Sequence, residues 1–211
     1  MELRTRTDKI RQILRRLYPE TKTPLYHKTP FQLLVATILS AQCTDKQVNR
    51  VTAVLFEQLK TPTDFANVPI KTLETYIHST GFYHNKAKNI KKCSRQILDA
   101  HNGRVPQTMA ELVKLSGVGR KTANVVLGAA FNTPGMVVDT HVARISRRLG
   151  LTTHKDAVKI EYDLMKIVPQ RSWNDFSLQL IFFGRATCSA RKPKCPECPI
   201  ANLCPWPDKA A

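Results

Sequence analysis

Leu115-Ser116-Gly117-Val118-Gly119-Arg120-Lys121-Thr122-Ala123-Asn124 is the stretch that decides the fold. Apolar residues at helical spacing flank it, so two helices, read at 108–115 and 119–131, meet at a turn holding two glycines in the pattern G-x-G. Glycine permits left-handed dihedrals and lets a ligand come close to the backbone. The helix that follows directs its unpaired N–H groups and the positive end of its dipole outward. Gly117, Val118 and Gly119 then form a phosphate seat with no base preference, as a protein tracking a DNA backbone needs. Taken alone, G-x-G also suits an ordinary tight turn between helices. Arg120 and Lys121 shift that balance. A cation in the first turn of a helix costs roughly 0.3–1 kcal/mol, and two together call for an anion at that end.

Working outward, helical periodicity runs through the chain and the fold reads as all-α. Ile10, Ile13, Leu14 and Leu17 give an amphipathic first helix. Segment 31–42, FQLLVATILSAQ, is apolar on most sides, which predicts a buried central helix ending at Gln42. Thr44 and Asp45 cap the next helix, with Val48, Val51, Leu55 and Leu59 inward. A short helix at 70–78 stops near Gly81. The helix from Asn85 to Ala100 turns Ile90 and Ile97 inward and Lys86, Lys88, Lys91, Lys92 and Arg95 outward, and Asn102-Gly103 closes it. Further helices are read at 139–149, 155–168 and 173–186, and only Met136-Val137-Val138 looks extended.

The 211 residues are enough to bury roughly 70% of the unfolded surface, in one large domain or two small ones. Lys and Arg number 33 against 16 acids, a net charge of +17 that calls for a polyanion. These charges are spread along folded-looking sequence rather than gathered in a tail, so they read as a binding face. No apolar run reaches membrane-spanning length and the first helix is too charged for a signal peptide, so the chain is expected to work inside the cell.

Of the six cysteines, Cys188, Cys195, Cys198 and Cys204 are spaced C-x6-C-x2-C-x5-C. Four soft thiolates so close in sequence can close around one metal centre and hold that segment in a single shape. Only one pair has the C-x2-C hook usual for structural zinc, and the run differs from those of ferredoxins. Spacing therefore gives a metal site and leaves zinc and iron–sulfur both open. Upstream, Val137-Val138-Asp139-Thr140-His141 opens a helix with Asp139 as its natural N-cap, a place that also holds a carboxylate rigid and ionised.

Together LSGVGRKTANVVLGAAF, VVDTHVARISRRLGL, ILSAQCTD and the cysteine tail, in that family's order and spacing, resemble the endonuclease III family of DNA glycosylases across essentially the whole chain. The resemblance implies a two-lobed helix-hairpin-helix fold. Residues 23–133 would form a six-helix barrel with the hairpin at 108–131, and 1–22 with 134–211 would form an iron–sulfur lobe. It also implies a [4Fe–4S] cluster on Cys188, Cys195, Cys198 and Cys204, and a damaged base of double-stranded DNA flipped between the lobes. By the same analogy Lys121 is the nucleophile and Asp139 the assisting carboxylate. An amine attacks only when neutral, and a lysine amine in water keeps its proton up to about pH 10.4. The helix dipole moves this by less than one unit, so desolvation in a closed site has to supply most of the change.

Extruding a base costs a few kcal/mol and leaves a gap in the stack. Gln42 matches the family residue that fills it. Phe82, where relatives often carry a leucine wedge, is either such a wedge or a core aromatic. His141 reads as a hydrogen-bonder beside Asp139 and, with Arg185, Arg191, Lys192 and Lys194 near the cysteines, joins the candidate DNA contacts. A sister family of adenine glycosylases places a carboxylate on the buried helix and lacks the hairpin lysine. Segment 31–43 has no Asp or Glu and Lys121 is present, which argues against that alternative. A non-enzymatic DNA-binding module would leave the pairing of Lys121 with Asp139 unexplained. The chain is expected to act as a monomer.

Overall fold

Threonine starts four of the helices. In the computed structural model, which describes residues 2–207, Thr29, Thr44, Thr61 and Thr108 each accept the backbone N–H three residues on. Each such cap is worth about 1 kcal/mol. The helices run α1 Leu3–Leu17, α2 Pro30–Leu39, α3 Asp45–Gln58, α4 Pro62–Asn67, α5 Ile70–Ile77, α6 Tyr83–His101, α7 Met109–Leu112, α8 Arg120–Phe131, α9 Thr140–Arg148, α10 Ala157–Ile167 and α11 Trp173–Ala186. Among the described residues there is no strand, and no helix is long and apolar enough to cross a membrane.

The chain divides into two compact units, Thr23–Thr133 and Met1–Lys22 with Pro134–Ala211. In the first, α2 is the axis. Nine of its ten residues are buried, and Leu33, Leu34, Leu39, Leu55, Leu73, Ile90 and Ile97 are fully enclosed in one apolar cluster. In the second, Ile10 and Leu14 of α1 join Val142, Ile145, Ile160, Leu164, Phe176 and Leu180 in a core of their own. Arg6 explains why the first helix belongs with the last third of the chain. Its guanidinium donates to the carbonyls of Leu149 at 2.6 Å, Leu203 at 3.1 Å and Gly150 at 3.1 Å.

Several expectations need correction. Helix α2 stops at Leu39 rather than at residue 42, and Gln42 takes a left-handed φ of 52° in the turn beyond it. Leu17 ends α1 facing outward, 46% exposed. The lysine face of α6 is not wholly solvated, since Lys86 is buried and Lys91 donates to the carbonyls of Ala66 and Val68. Helix α4 escaped the sequence reading because six residues carry too little periodicity. Its capping box, Thr61 with Asp64, was the available signal. The stretch 136–138 is irregular and buried, and α11 side chains satisfy it from the side. Gly135 N–H donates to Asn174 Oδ1 at 2.8 Å and Val137 N–H to Ser177 Oγ at 2.9 Å.

Candidate functional site

The hairpin turn is built by its glycines and by two amides on α6. Gly117 has a φ of 76°, which admits glycine without strain. Val118 is buried and its N–H returns to the Leu115 carbonyl at 3.1 Å. Gln96 Oε1 accepts from Ser116 N–H at 2.8 Å, Gln96 Nε2 donates to the Lys114 carbonyl at 3.2 Å, and Ser116 Oγ donates to Asn89 Oδ1 at 2.9 Å. Sequence reading missed Asn89 and Gln96 because nothing local ties an amide to a turn some 20 residues away. Gly119 caps α8 with no side-chain acceptor, and no acid stands in the first turn of that helix. Arg120 and Lys121 open α8, and Lys121 is exposed. In the protein alone this amine is therefore in water, and any desolvation has to come from what binds there.

In the same unit Gln42 and Phe82 are both exposed, both non-glycine and both left-handed, with φ of 52° and 49°. Phe82 is 62% exposed, which removes the core alternative. Left-handed backbone is uncommon for such residues and costs about 1–2 kcal/mol. Gly81, with a φ of 70°, leads directly into Phe82.

In the other unit Asp139 caps α9, its Oδ1 accepting Val142 N–H at 2.8 Å. From that cap, α9 presents His141, Arg144 and Arg148 toward the cysteine segment. Burial holds the His141 imidazole below its ordinary range; the Asp139 carboxylate opposes this, and Arg144 and Arg185 reinforce it. Arg144 Nη2 lies 3.1 Å from His141 Nδ1 and donates to the carbonyls of Gly184 at 3.2 Å and Cys188 at 2.9 Å. Arg148 donates to Cys188 Sγ at 3.3 Å and to the carbonyls of Ser189 and Ala190, and lies 4.0 Å over the Trp206 ring. The role of these two arginines was not read from the sequence; their i, i+3, i+7 spacing from His141 was the signal.

Cys188, Cys195, Cys198 and Cys204 line one hollow walled by Ile145, Leu149, Phe183 and Ile200. Burial raises the Cys198 thiol, and Cys188, Cys204 and Cys195 push the same way against a lowering hydrogen bond from the backbone of Ile200. Four thiolates in an apolar hollow repel one another unless cations sit among them. The donor set therefore fits a metal centre held by sulfur alone, as an iron–sulfur group or a four-cysteine zinc is. Arg191, Lys192 and Lys194 stand exposed on the loop between the first two cysteines, and Arg185 is exposed at the end of α11. Phosphate needs cations presented in this way.

Comparison with known proteins bears on both units. The family described as HhH-GPD superfamily base excision DNA repair protein matches residues 35–170, and the iron–sulfur binding domain of endonuclease III matches residues 188–204. The chain is 53% identical to endonuclease III of Synechocystis over 95% of its own length and 92% of that protein. It is 44% identical to endonuclease III of Escherichia coli K12 over 93% of each. It superposes with a TM-score of 0.94, at 45% identity and over 98% of this chain and 97% of the other, on the structure of a trapped endonuclease III–DNA covalent intermediate.

Proposed function

The chain belongs to the endonuclease III family of base excision DNA repair proteins, and from that premise we propose that it excises oxidised pyrimidines from duplex DNA and then cuts the abasic strand. The observation that carries this reading is an exposed Lys121 on the first turn of α8, directly behind a G-x-G turn and at a helix start that no side chain caps, where N–H groups suit a phosphate. In the proposed step the neutral Lys121 amine attacks C1′ of the deoxyribose. The glycosidic bond breaks, and its electron pair leaves with the base, which takes up a proton. Opening of the sugar gives a Schiff base between C1′ and Lys121. Loss of a C2′ proton then breaks the C3′–O bond and releases the 3′ phosphate. Bound DNA would exclude water from Lys121 and so favour the neutral amine. Asp139, held by Val142 N–H, supplies a fixed negative charge toward the developing cation on the sugar.

The remaining residues take binding roles. Gly117, Val118, Gly119 and Arg120 seat a phosphate, while Gln42 and Phe82 fill the space the extruded base leaves. Arg185, Arg191, Lys192 and Lys194 meet backbone phosphates beside the cysteine loop, and His141 holds the Asp139 end of α9 in register through Arg144. The four cysteines hold a [4Fe–4S] cluster, whose contribution is to fix the segment 188–204 in one shape. The enzyme acts as a monomer inside the cell, since every group this scheme uses is present in one chain.

The test is a panel of duplexes carrying thymine glycol, dihydrouracil, an abasic site, uracil, or adenine opposite an oxidised guanine. Release of the oxidised pyrimidines with cleavage 3′ to the site supports the reading. Binding without release of any of these bases overturns it in favour of a non-enzymatic module.

A further inference from the structure

Lys86 is the one buried lysine or arginine among the described residues, 5% exposed. Its ammonium donates at 2.8 Å to the carbonyl of Leu39 and at 2.8 Å to the carbonyl of Thr80. Leu39 is the last residue of α2, and Thr80 is the last of the 3-10 turn His78–Thr80. Both carbonyls are terminal groups left without helical partners, at ends that carry partial negative charge. Three residues beyond Leu39 stands Gln42, and two beyond Thr80 stands Phe82. One ammonium thus closes off the two segments that present Gln42 and Phe82, both exposed and left-handed. A second tie runs parallel, since Gln47 Nε2 on the first turn of α3 donates to Ser79 Oγ at 2.7 Å.

Burying a cation against neutral carbonyls is an expensive way to fill space. Burial pulls the lysine below its ordinary range, while Cys43 opposes that shift. A methionine would fill the same volume without the desolvation cost. The lysine's particular property is that it bonds two carbonyls at once, from two segments 41 residues apart.

Resting on the reading that Gln42 and Phe82 fill the gap left by the extruded base, we propose that Lys86, assisted by Gln47, is a positioning residue that fixes those two tips relative to each other so that they enter the stack together. It touches neither the sugar nor the base. Its loss therefore slows extrusion of a paired, stacked nucleotide and spares chemistry at a site that has no base to extrude.

The test compares Lys86→Met with the parent in two single-turnover reactions: base release from a thymine glycol duplex, and strand cleavage at a preformed abasic site. Base release should fall about tenfold, because Lys86→Met removes both charge-assisted hydrogen bonds and part of that loss is felt in extrusion, while abasic cleavage stays within about twofold. A 2-aminopurine opposite the lesion should report less disturbance of the stack in the variant. Adding Lys86→Met to Gln42→Ala with Phe82→Ala should cost nothing further. If Lys86→Met fails to fold, Gln47→Ala carries the same comparison through the second tie. Equal losses in both reactions, or a full further loss in the Gln42→Ala, Phe82→Ala background, would overturn the positioning role alone. If the parent releases base but Gln42→Ala with Phe82→Ala is as fast, the insertion reading falls and this role with it. A parent without any base release would instead contradict the enzymatic reading itself.

Discussion

A Cβ on Gly117 would lie 2.9 Å from Cβ of Asn89 on the facing helix α6, closer than side-chain carbons approach. The hairpin turn is therefore tight for two reasons: a left-handed backbone at Gly117 and a wall that leaves no room for a methyl group. Gly117→Ala should cost about 1–3 kcal/mol of stability. It should also weaken binding to undamaged duplex, because Ser116 loses its register against Asn89. Thermal unfolding and a binding isotherm check both, and an alanine variant unchanged in both would mean the turn is slack.

Asp139 caps α9, and one substitution separates that cap from the catalytic duty proposed for it. Asparagine caps helices about as well as aspartate, so Asp139→Asn should keep the bond to Val142 N–H and lose at most about 1 kcal/mol of stability. Base release should fall on the order of a hundredfold, with duplex binding little changed. Equal losses in binding and release would make the residue only a cap.

The cysteine hollow predicts a brown protein that absorbs visible light, as four-thiolate iron–sulfur centres do. Cys198→Ser should bleach that absorbance and free the loop carrying Arg191, Lys192 and Lys194. The salt dependence of duplex binding should then flatten by about 1 for each phosphate that the freed loop no longer neutralises. A colourless, zinc-containing preparation would contradict the cluster.

The net charge of +17 makes its own prediction. With about four phosphates neutralised, log affinity for undamaged duplex should fall against log salt with a slope near −4. A slope near zero would remove the electrostatic basis of binding.

Sequence and structure agree most closely where the signal is local. Thr44 at the start of α3, Asn102-Gly103 after α6 and Asp139 at the head of α9 stand where their side-chain chemistry predicts. The all-α class followed from the same periodicity. Lys86 shows where local reading stops. On a helical wheel it belongs to a solvated charge run, and only the tertiary arrival of the Leu39 and Thr80 carbonyls draws it inside. Gln42 was read one turn too helical because apolar periodicity cannot reveal a left-handed residue just past a helix end. Arg144 and Arg148 read as surface cations until the cysteine segment brings the Cys188, Ser189 and Ala190 carbonyls to them. The motifs proposed to carry chemistry are contiguous and legible, whereas the groups that hold them in place depend on distant parts of the chain.

The most direct test of the account is borohydride reduction during reaction with a thymine glycol duplex, followed by peptide mapping of the trapped adduct. The deoxyribose remnant should be found on Lys121, and the adduct should vanish in Lys121→Ala along with base release. A remnant on another residue, or an alanine variant that still released oxidised pyrimidines at the parental rate, would contradict the assignment of Lys121 as nucleophile.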